Sequence, residues 1–457
     1  MPKKKTALTI EERLQQALVP AEEQPYEVPE NWVWVRLESV ASWGSGGTPS
    51  RKHEEYYNGD ILWIKTGELN NGWIYDTEEK ITDEGLKKSS AKLFPPYSVL
   101  IAMYGATIGK VAILGVPATT NQACACAVCN QSLLYMYLFY YCISQKNVFI
   151  EKGKGGAQPN ISQIILKQHP IPLPPLSEQQ RIVERIEELF AKLDEAKERL
   201  QEVADSFAVR KAAILHKAFT GELTKQWRRE NGVSDESWEE KNLGDVCTVN
   251  PKKIDAKNLD DNLEVSFVPM AAVSDVFGEI VNHEVKNLQD VRTGFTNFSE
   301  GDVIFAKITP CMENGKSAIV GPLVNDIGYG STEFYVLRCK EELYNKYLYH
   351  MVRNTTFRAE AKAVMTGAVG QQRVPKTFLQ EYQLLLPSLP EQHEIVRLID
   401  ALLARERAAQ QAAEQALASI DLMKKSILAR AFRGELGTNK ASEASALELL
   451  RQVLAEN

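Results

Sequence analysis

Apolar positions between residues 178 and 219 fall on one seam. Ile182, Ile186, Leu189, Leu193, Ala196, Leu200, Val203 and Phe207 follow one another in steps of four and three. That heptad spacing holds a stripe on one face of a helix. Pro174 and Pro175, followed by Ser177-Glu-Gln-Gln180, give the form of a capping box, and Gly221 is a natural stop. The helix they predict is about 60 Å long at 1.5 Å per residue. The same register returns as Ile395, Ile399, Leu402, Ala409, Ala413, Ala416 and Ile420, broken by Glu406 and stopped by Gly434. A heptad seam needs a partner in water, and each copy supplies one to the other. The small alanines of the second copy allow close approach. The expectation is an intramolecular antiparallel coiled coil, with the two other parts of the repeat at its opposite ends.

Outside the two seams the pattern changes to short β-like runs between turn residues. Ile61–Ile64, Ser98–Met103, Lys110–Leu114 and Asp302–Ala306 are such runs, while Leu133–Ile143 and Tyr344–Arg353 are helical. This mixture predicts an α+β fold, with two tandem mixed α/β domains separated by two long helices. The intended division is 1–25 N-terminal arm, 26–175 first domain, 176–222 first helix, 223–236 linker, 237–389 second domain, 390–435 second helix and 436–457 tail. Ile10–Val19 and Ala441–Leu454 read as short terminal helices that cap the repeat or touch partner subunits.

The duplication is explicit in the residues. Leu173-Pro-Pro-Leu-Ser-Glu-Gln-Gln180 returns as Leu386-Pro-Ser-Leu-Pro-Glu-Gln-His393, an offset of 386 − 173 = 213. Lys211–Leu223 returns as Lys424–Leu436 at the same offset. Upstream the match loosens. Trp32, Leu37 and Val40 answer Trp238, Leu243 and Val246, and Gly109-Lys110 answers Gly315-Lys316.

Composition adds limits. The chain has 457 residues, a formal net charge of −7 and seven cysteines. No run of eighteen apolar residues exists to form a membrane span, and the Lys-rich start is not followed by a signal-peptide core. The odd cysteine count fits reduced thiols and a cytoplasmic location. Cys124, Cys126, Cys129 and Cys142 suggest zinc, but alternation of Ala and Cys over Ala123–Val128 fits a tightly packed strand better. The acidic balance counts against a simple nucleic-acid binder without excluding one that shares phosphate contacts with partners.

Two similar but diverged domains held at a fixed distance make a ruler, and duplex DNA offers grooves at fixed spacing. Here the chain resembles the specificity subunits of type I restriction–modification systems, from about Tyr26 to Leu436. The carriers are Pro174-Pro-Leu-Ser-Glu-Gln-Gln180 and Leu389-Pro-Glu-Gln-His393 opening the helices, and Ala218-Phe-Thr-Gly-Glu-Leu223 and Ala431-Phe-Arg-Gly-Glu-Leu436 closing them. Gly46-Gly-Thr-Pro-Ser50, Ile108–Ala112, Thr120-Asn-Gln-Ala-Cys124 and Gly156-Ala-Gln-Pro-Asn-Ile-Ser162 look like pieces of the family's target-recognition domains. The resemblance implies a non-catalytic subunit whose domains each read one half of a bipartite, asymmetric double-stranded DNA site. It implies helices that set the spacer and dock two modification (methyltransferase) subunits, with restriction (helicase-nuclease) subunits joining. S-adenosylmethionine, ATP and Mg belong to those partners, and no cofactor or metal to this chain. The alternative is a coiled-coil scaffold whose two domains bind proteins or peptides.

Candidate DNA contacts are cationic, amide-bearing or hydroxyl side chains, most of them in or beside Gly-rich loops, since Lys and Arg meet phosphate or guanine, Ser and Thr meet phosphate, and Gln or Asn pairs with adenine. They are Thr48, Ser50, Arg51, Lys52, Lys65, Lys110, Lys154, Gln158 and Asn160 in the first copy. In the second they are Lys252, Lys253, Lys307, Lys316, Gln371, Gln372 and Arg373. Three decoys read as structural. Phe94-Pro-Pro-Tyr97 resembles an amino-methyltransferase tetrapeptide but has Phe where a hydrogen-bond acceptor is needed, so a strand-entry turn is expected. Gly315-Lys316-Ser317 lacks the upstream P-loop glycine, which is Pro310, and Gly105–Lys110 has one residue too few and Val111 in place of Ser/Thr. Both Gly-Lys pairs read as a shared turn, with DNA contact as the second reading.

Overall fold

A computed structural model describes residues 9–153, 159–256, 258–368 and 370–456. The chain divides into two compact units, residues 1–200 with 416–457, and residues 201–415. Each long helix, Leu176–Phe219 and Leu389–Phe432, therefore gives one half to each unit.

In the first unit the central sheet runs in the order Ala41–Ser45, Cys124–Cys129, Val99–Ala102, Val111–Leu114, Trp73–Ile74. Every residue of Val99–Ala102 and Val111–Leu114 is buried, as uninterrupted apolar runs require. Alternate side chains serve two cores. Val99, Ile101, Val111, Ile113, Ala125 and Ala127 pack with Tyr137, Leu138 and Tyr141 of the helix Tyr135–Ser144. Leu100, Ala102, Ala112, Leu114, Cys124 and Cys126 face Ile64, Ile74 and Phe94. The expected cysteine strand is thus the second strand of this sheet. Burial holds the thiols of Cys126 and Cys129 up near 12. Among the described residues no group of His, Cys, Asp and Glu is disposed to hold a metal, and no helix is long and apolar enough to cross a membrane.

The second unit repeats the plan. Its sheet runs Cys247–Val249, Phe334–Cys339, Val303–Ala306, Ser317–Ile319. In both units a strand beside the central sheet takes a parallel neighbour: Tyr57–Ile64 with Thr119–Thr120, and Glu264–Val268 with Gly328–Gly330. A two-stranded ribbon leads into each long helix, Val33–Arg36 against Pro170–Leu173, and Glu239–Asn242 against Gln383–Leu386. The terminal helices, Ile10–Ala17 and Ala446–Glu456, contribute Leu14, Ala17, Ala446 and Leu450 to the first unit's core, and Arg13 Nη1 donates to the Leu454 carbonyl at 3.2 Å.

The long helices pair antiparallel. Lys424 Nζ meets Asp194 at 2.5 Å and lies over the Phe190 ring in the first unit. Arg210 Nε meets Glu406 at 2.8 Å and covers Phe207 in the second. As numbers rise along one helix, those of its partner fall. Glu406, the apparent break in the seam, is therefore an ion-pair acceptor whose partner comes from the other copy. Ile182, Ile186, Phe207, Ile395, Ile399, Ala413 and Ile420 are buried, and Leu189, Leu193, Leu200, Leu402 and Ala416 are partly so. Val203, 43% exposed, and Ala409 depart from the expected seam. Beyond the Arg210–Glu406 pair the second helix carries Ala408, Ala409, Ala412 and Ala413, side chains too short to close over Val203. The buried ends of the seams belong to the domain cores, where Ile182 and Ile186 join one cluster and Ile395 and Ile399 the other.

The capping box also needs correction. The first helix starts at Leu176, which puts Ser177 inside it, and the Pro175 carbonyl accepts from the Glu178 and Gln179 amides. The duplicated Glu-Gln pair has other work. Gln179 accepts from the Leu134 amide and donates to the Ser132 and Pro174 carbonyls. Gln392 does the same with Tyr344, Glu342 and Pro387. Fully buried Glu178 takes Thr438 Oγ1 at 2.7 Å and Arg181, and Arg181 also binds Glu443. Fully buried Glu391 takes Thr224 Oγ1 and Arg228, both at 2.7 Å, and Arg228 also binds Asp235. Thr224 and Thr438 each follow a Gly-Glu-Leu stop. The end of each helix thus locks the beginning of the other, with Gly221 and Gly434 at φ +75° and +74° making the turns.

Candidate nucleic-acid interface

Antiparallel order places four chain segments at one end of each central sheet. In the first unit these are the exit of Ala41–Ser45, the entry of Cys124–Cys129, the exit of Val99–Ala102 and the entry of Val111–Leu114. The loops there hold most of the residues expected to contact DNA. Gly46 and Gly47 run against Thr120 and Ser90 so closely that a Cβ would sit 1.8 Å and 2.1 Å from their oxygens. That approach delivers Thr48, whose hydroxyl donates to Gln122 Oε1 at 2.5 Å. The hairpin loop Tyr104–Lys110 binds the next loop: Gly105 N donates to Pro159 O, and Ile161 N to Met103 O at 2.8 Å. Lys110 and Asn160 are thereby brought to one side. Lys154 and Gln158 lie outside the described residues.

The second unit assembles the same way. Its Lys307–Lys316 loop pairs with the segment after Thr366 through Thr309 N to Gln372 O at 3.0 Å and Val374 N to Lys307 O at 2.9 Å. Gln371, Gln372 and Arg373 therefore stand where Gln158 and Asn160 stand in sequence. Lys252 and Lys253 leave the neighbouring strand Cys247–Val249. The Gly-Lys pairs are hairpin turns, with Gly109 and Gly315 at φ +74° and +78°, and Phe94–Tyr97 is the turn before Val99–Ala102.

The cations are less free than their number implies. Arg51 pairs with Glu79 at 2.7 Å and stacks over Tyr57 and Trp63. Lys65 Nζ also takes Glu79, at 3.0 Å, which holds that carboxyl below its usual range. Arg373 grips both oxygens of Glu333, at 2.8 and 2.9 Å, with the same effect on Glu333. Lys307 donates to Thr332 O over the Tyr335 ring, and loss of solvent lowers its pKa. Lys253 and Lys316 donate to the carbonyls of Phe295 and Met270. Among the described residues, Lys52, Lys110 and Lys252 carry no ion pair, and exposed Ser50 accepts from the Lys52 amide through its hydroxyl in the first loop. Sequence reasoning missed Gln122, although it lies in the quoted Thr120–Cys124 segment, and missed exposed Tyr104. It also missed Glu79 and Glu333, whose signal would have been acids near, in space alone, to the candidate cations.

Both copies match one family model, described as the type I restriction modification DNA specificity domain, at residues 29–205 and 235–416. The chain is 32% identical to the type I restriction enzyme EcoEI specificity subunit of Escherichia coli, over 48% of this chain and 44% of that one. That match spans less than half of the relative's length. It is 25% identical to the StySPI specificity subunit of Salmonella potsdam, over 94% of this chain and 96% of that one. The crystal structure of the HsdS subunit from Thermoanaerobacter tengcongensis shares the fold, with a TM-score of 0.64 at 20% identity over 91% of this chain and all of that one. With two matched domains, each opening a long helix that the other copy closes, the chain belongs to the family of type I restriction–modification specificity proteins.

Proposed function

We propose that this chain is the DNA sequence-specificity subunit of a type I restriction–modification complex. Each domain reads one half of a bipartite, asymmetric site on double-stranded DNA through the loops at the end of its central sheet. The long helices set the unread spacer and dock two methyltransferase subunits, which restriction subunits join. Methyl transfer and ATP-dependent cleavage, with S-adenosylmethionine, ATP and Mg, belong to those partners.

One observation carries this reading. The two units present the same loops in the same places but fill them differently. Asn160 in one answers Arg373 in the other, and Thr48–Gln122 in one answers the Lys252–Lys253 segment in the other. A shared scaffold with diverged loops is what two different half-sites require. Methylome sequencing of a host expressing the chain with its neighbouring genes tests it. The expected result is one split motif with two dissimilar halves. Exchanging residues 26–170 for those of another member should change one half only. If the chain copurifies with no methyltransferase subunit, or both halves change, the proposal fails.

A further inference from the structure

The constant 213-residue offset makes the two units comparable position by position along the helices. In the first unit Lys424 is neutralised by Asp194 and rests on Phe190. The matching residues of the second unit are Lys211, Arg407 and Leu403. The acid of the ion pair has become a second cation. Among the described residues neither Lys211 nor Arg407 has a carboxylate partner within ion-pair distance. Like charges on facing helices destabilise the pairing unless an anion comes between them.

Space for one exists. A cavity of about 690 Å³ in the second unit is lined by Lys211 and Arg407 from the two helices and by Phe277, Tyr349, Lys346 and Arg353 from the domain. This is within the size range of small-molecule sites. Four cations line it against two carboxylates, Glu279 and Asp400, and His350 already engages Asp400 at 3.0 Å. Lys211 is exposed taken as a whole residue. Its ammonium is nonetheless held below the ordinary lysine pKa, first by loss of solvent and then by the charges of Arg353, Arg358 and Arg407.

The lining also has an apolar part, anchored through its backbone. Phe277 is half exposed and lies 5.4 Å from the Arg407 guanidinium. Its loop is tied down because Tyr349 Oη donates to the Phe277 carbonyl, and Arg353 donates to those of Asp275 and Val276. Leu215, Ile280 and Leu403 complete the apolar side.

We propose that Lys211 and Arg407 flank a binding site in the second unit for a small organic phosphate with a flat ring, of the nucleoside diphosphate class. The two cations take the phosphates, and the ring lies against Phe277 and Tyr349. The site adjoins the Lys307–Lys316 loop, since Arg353 Nη1 donates to the Gly315 carbonyl at 2.7 Å, but it does not depend on the reading given to the sheet-end loops.

Isothermal titration of the full chain with ADP, pyrophosphate and adenosine tests this. ADP should bind, and adenosine should bind at least ten-fold more weakly. Lys211→Ala and Arg407→Asp should each weaken ADP at least ten-fold. Arg407→Asp rebuilds the Lys–Asp pair of the first unit, so it should melt no lower than the parent, which separates lost binding from lost folding. Phe277→Ala should weaken ADP while leaving pyrophosphate within about two-fold. Failure of all three probes to bind, or unchanged ADP affinity in Arg407→Asp, overturns the proposal. So does displacement of bound ADP by a short DNA duplex, which would assign the cations to a DNA path.

Discussion

Replacing Arg228 by Ala removes the guanidinium from a carboxylate that has nowhere to go. Glu391 is fully buried, and its Oε1 takes Arg228 Nη1 and Thr224 Oγ1, both at 2.7 Å, while Oε2 has no hydrogen-bond partner among the described residues. Without Arg228, one hydroxyl is left to hold a buried charge. Breaking such a pair destabilises by about 3–5 kcal/mol. A ceiling comes from protonation, since a carboxyl of ordinary pKa near 4.3 is neutralised at pH 7 for about 3.7 kcal/mol. Arg228→Ala should therefore lose about 3–4 kcal/mol at pH 7. Adding Glu391→Gln should restore most of the loss at pH 7. Urea unfolding of the single and double variants at pH 7 measures both values. The exposed Arg199–Glu195 pair is the control, expected to give under about 0.5 kcal/mol. A loss below about 1 kcal/mol at pH 7, or no recovery on adding Glu391→Gln, refutes the argument.

Other outcomes follow from the same contacts. His169 is buried, and loss of solvent, with Lys152 beside it at 3.2 Å, lowers its pKa to about 3. The unfolded chain therefore binds the proton first, and stability should fall by about 2 kcal/mol from pH 6.5 to pH 5; melts of the parent against His169→Gln over that range would show it, the variant's curve being flatter. Glu333→Gln releases Arg373 from its bidentate pair, so if the sheet-end loops meet DNA the slope of log affinity against log salt should steepen by about one; an unchanged slope removes Arg373 from the interface. Gln179→Leu deletes three hydrogen bonds that fasten the first helix to its domain, leaving buried backbone groups unpaired, and should lower stability by about 2–4 kcal/mol in thermal unfolding. Inserting one heptad into both long helices should lengthen the tolerated spacer with both half-sites unchanged, as methylome sequencing would reveal.

The strands and helices were legible because burial leaves a period in the chain. Val99–Ala102 and Val303–Ala306 are apolar without a break, Tyr135–Ser144 is nearly so, and the long helices carry their heptads. The 213-residue offset exposed the duplication and the loops worth attention. Sequence alone could not say which residue faces which across 200 positions. Glu406 looked like a flaw until Arg210 stood opposite it. Ser177–Gln180 looked like a capping box until the helix began at Leu176 and Thr438 arrived from the far helix end to meet Glu178. Arg51, Lys65 and Arg373 looked like free cations until Glu79 and Glu333 were beside them. Periodicity is a local property of hydrophobic burial, whereas charge pairing depends on distances that the closed tertiary structure alone defines. The sequence determined the repeat, the fold class and the family; the tertiary structure decided which charges are spent on holding the protein together and which are left for a ligand.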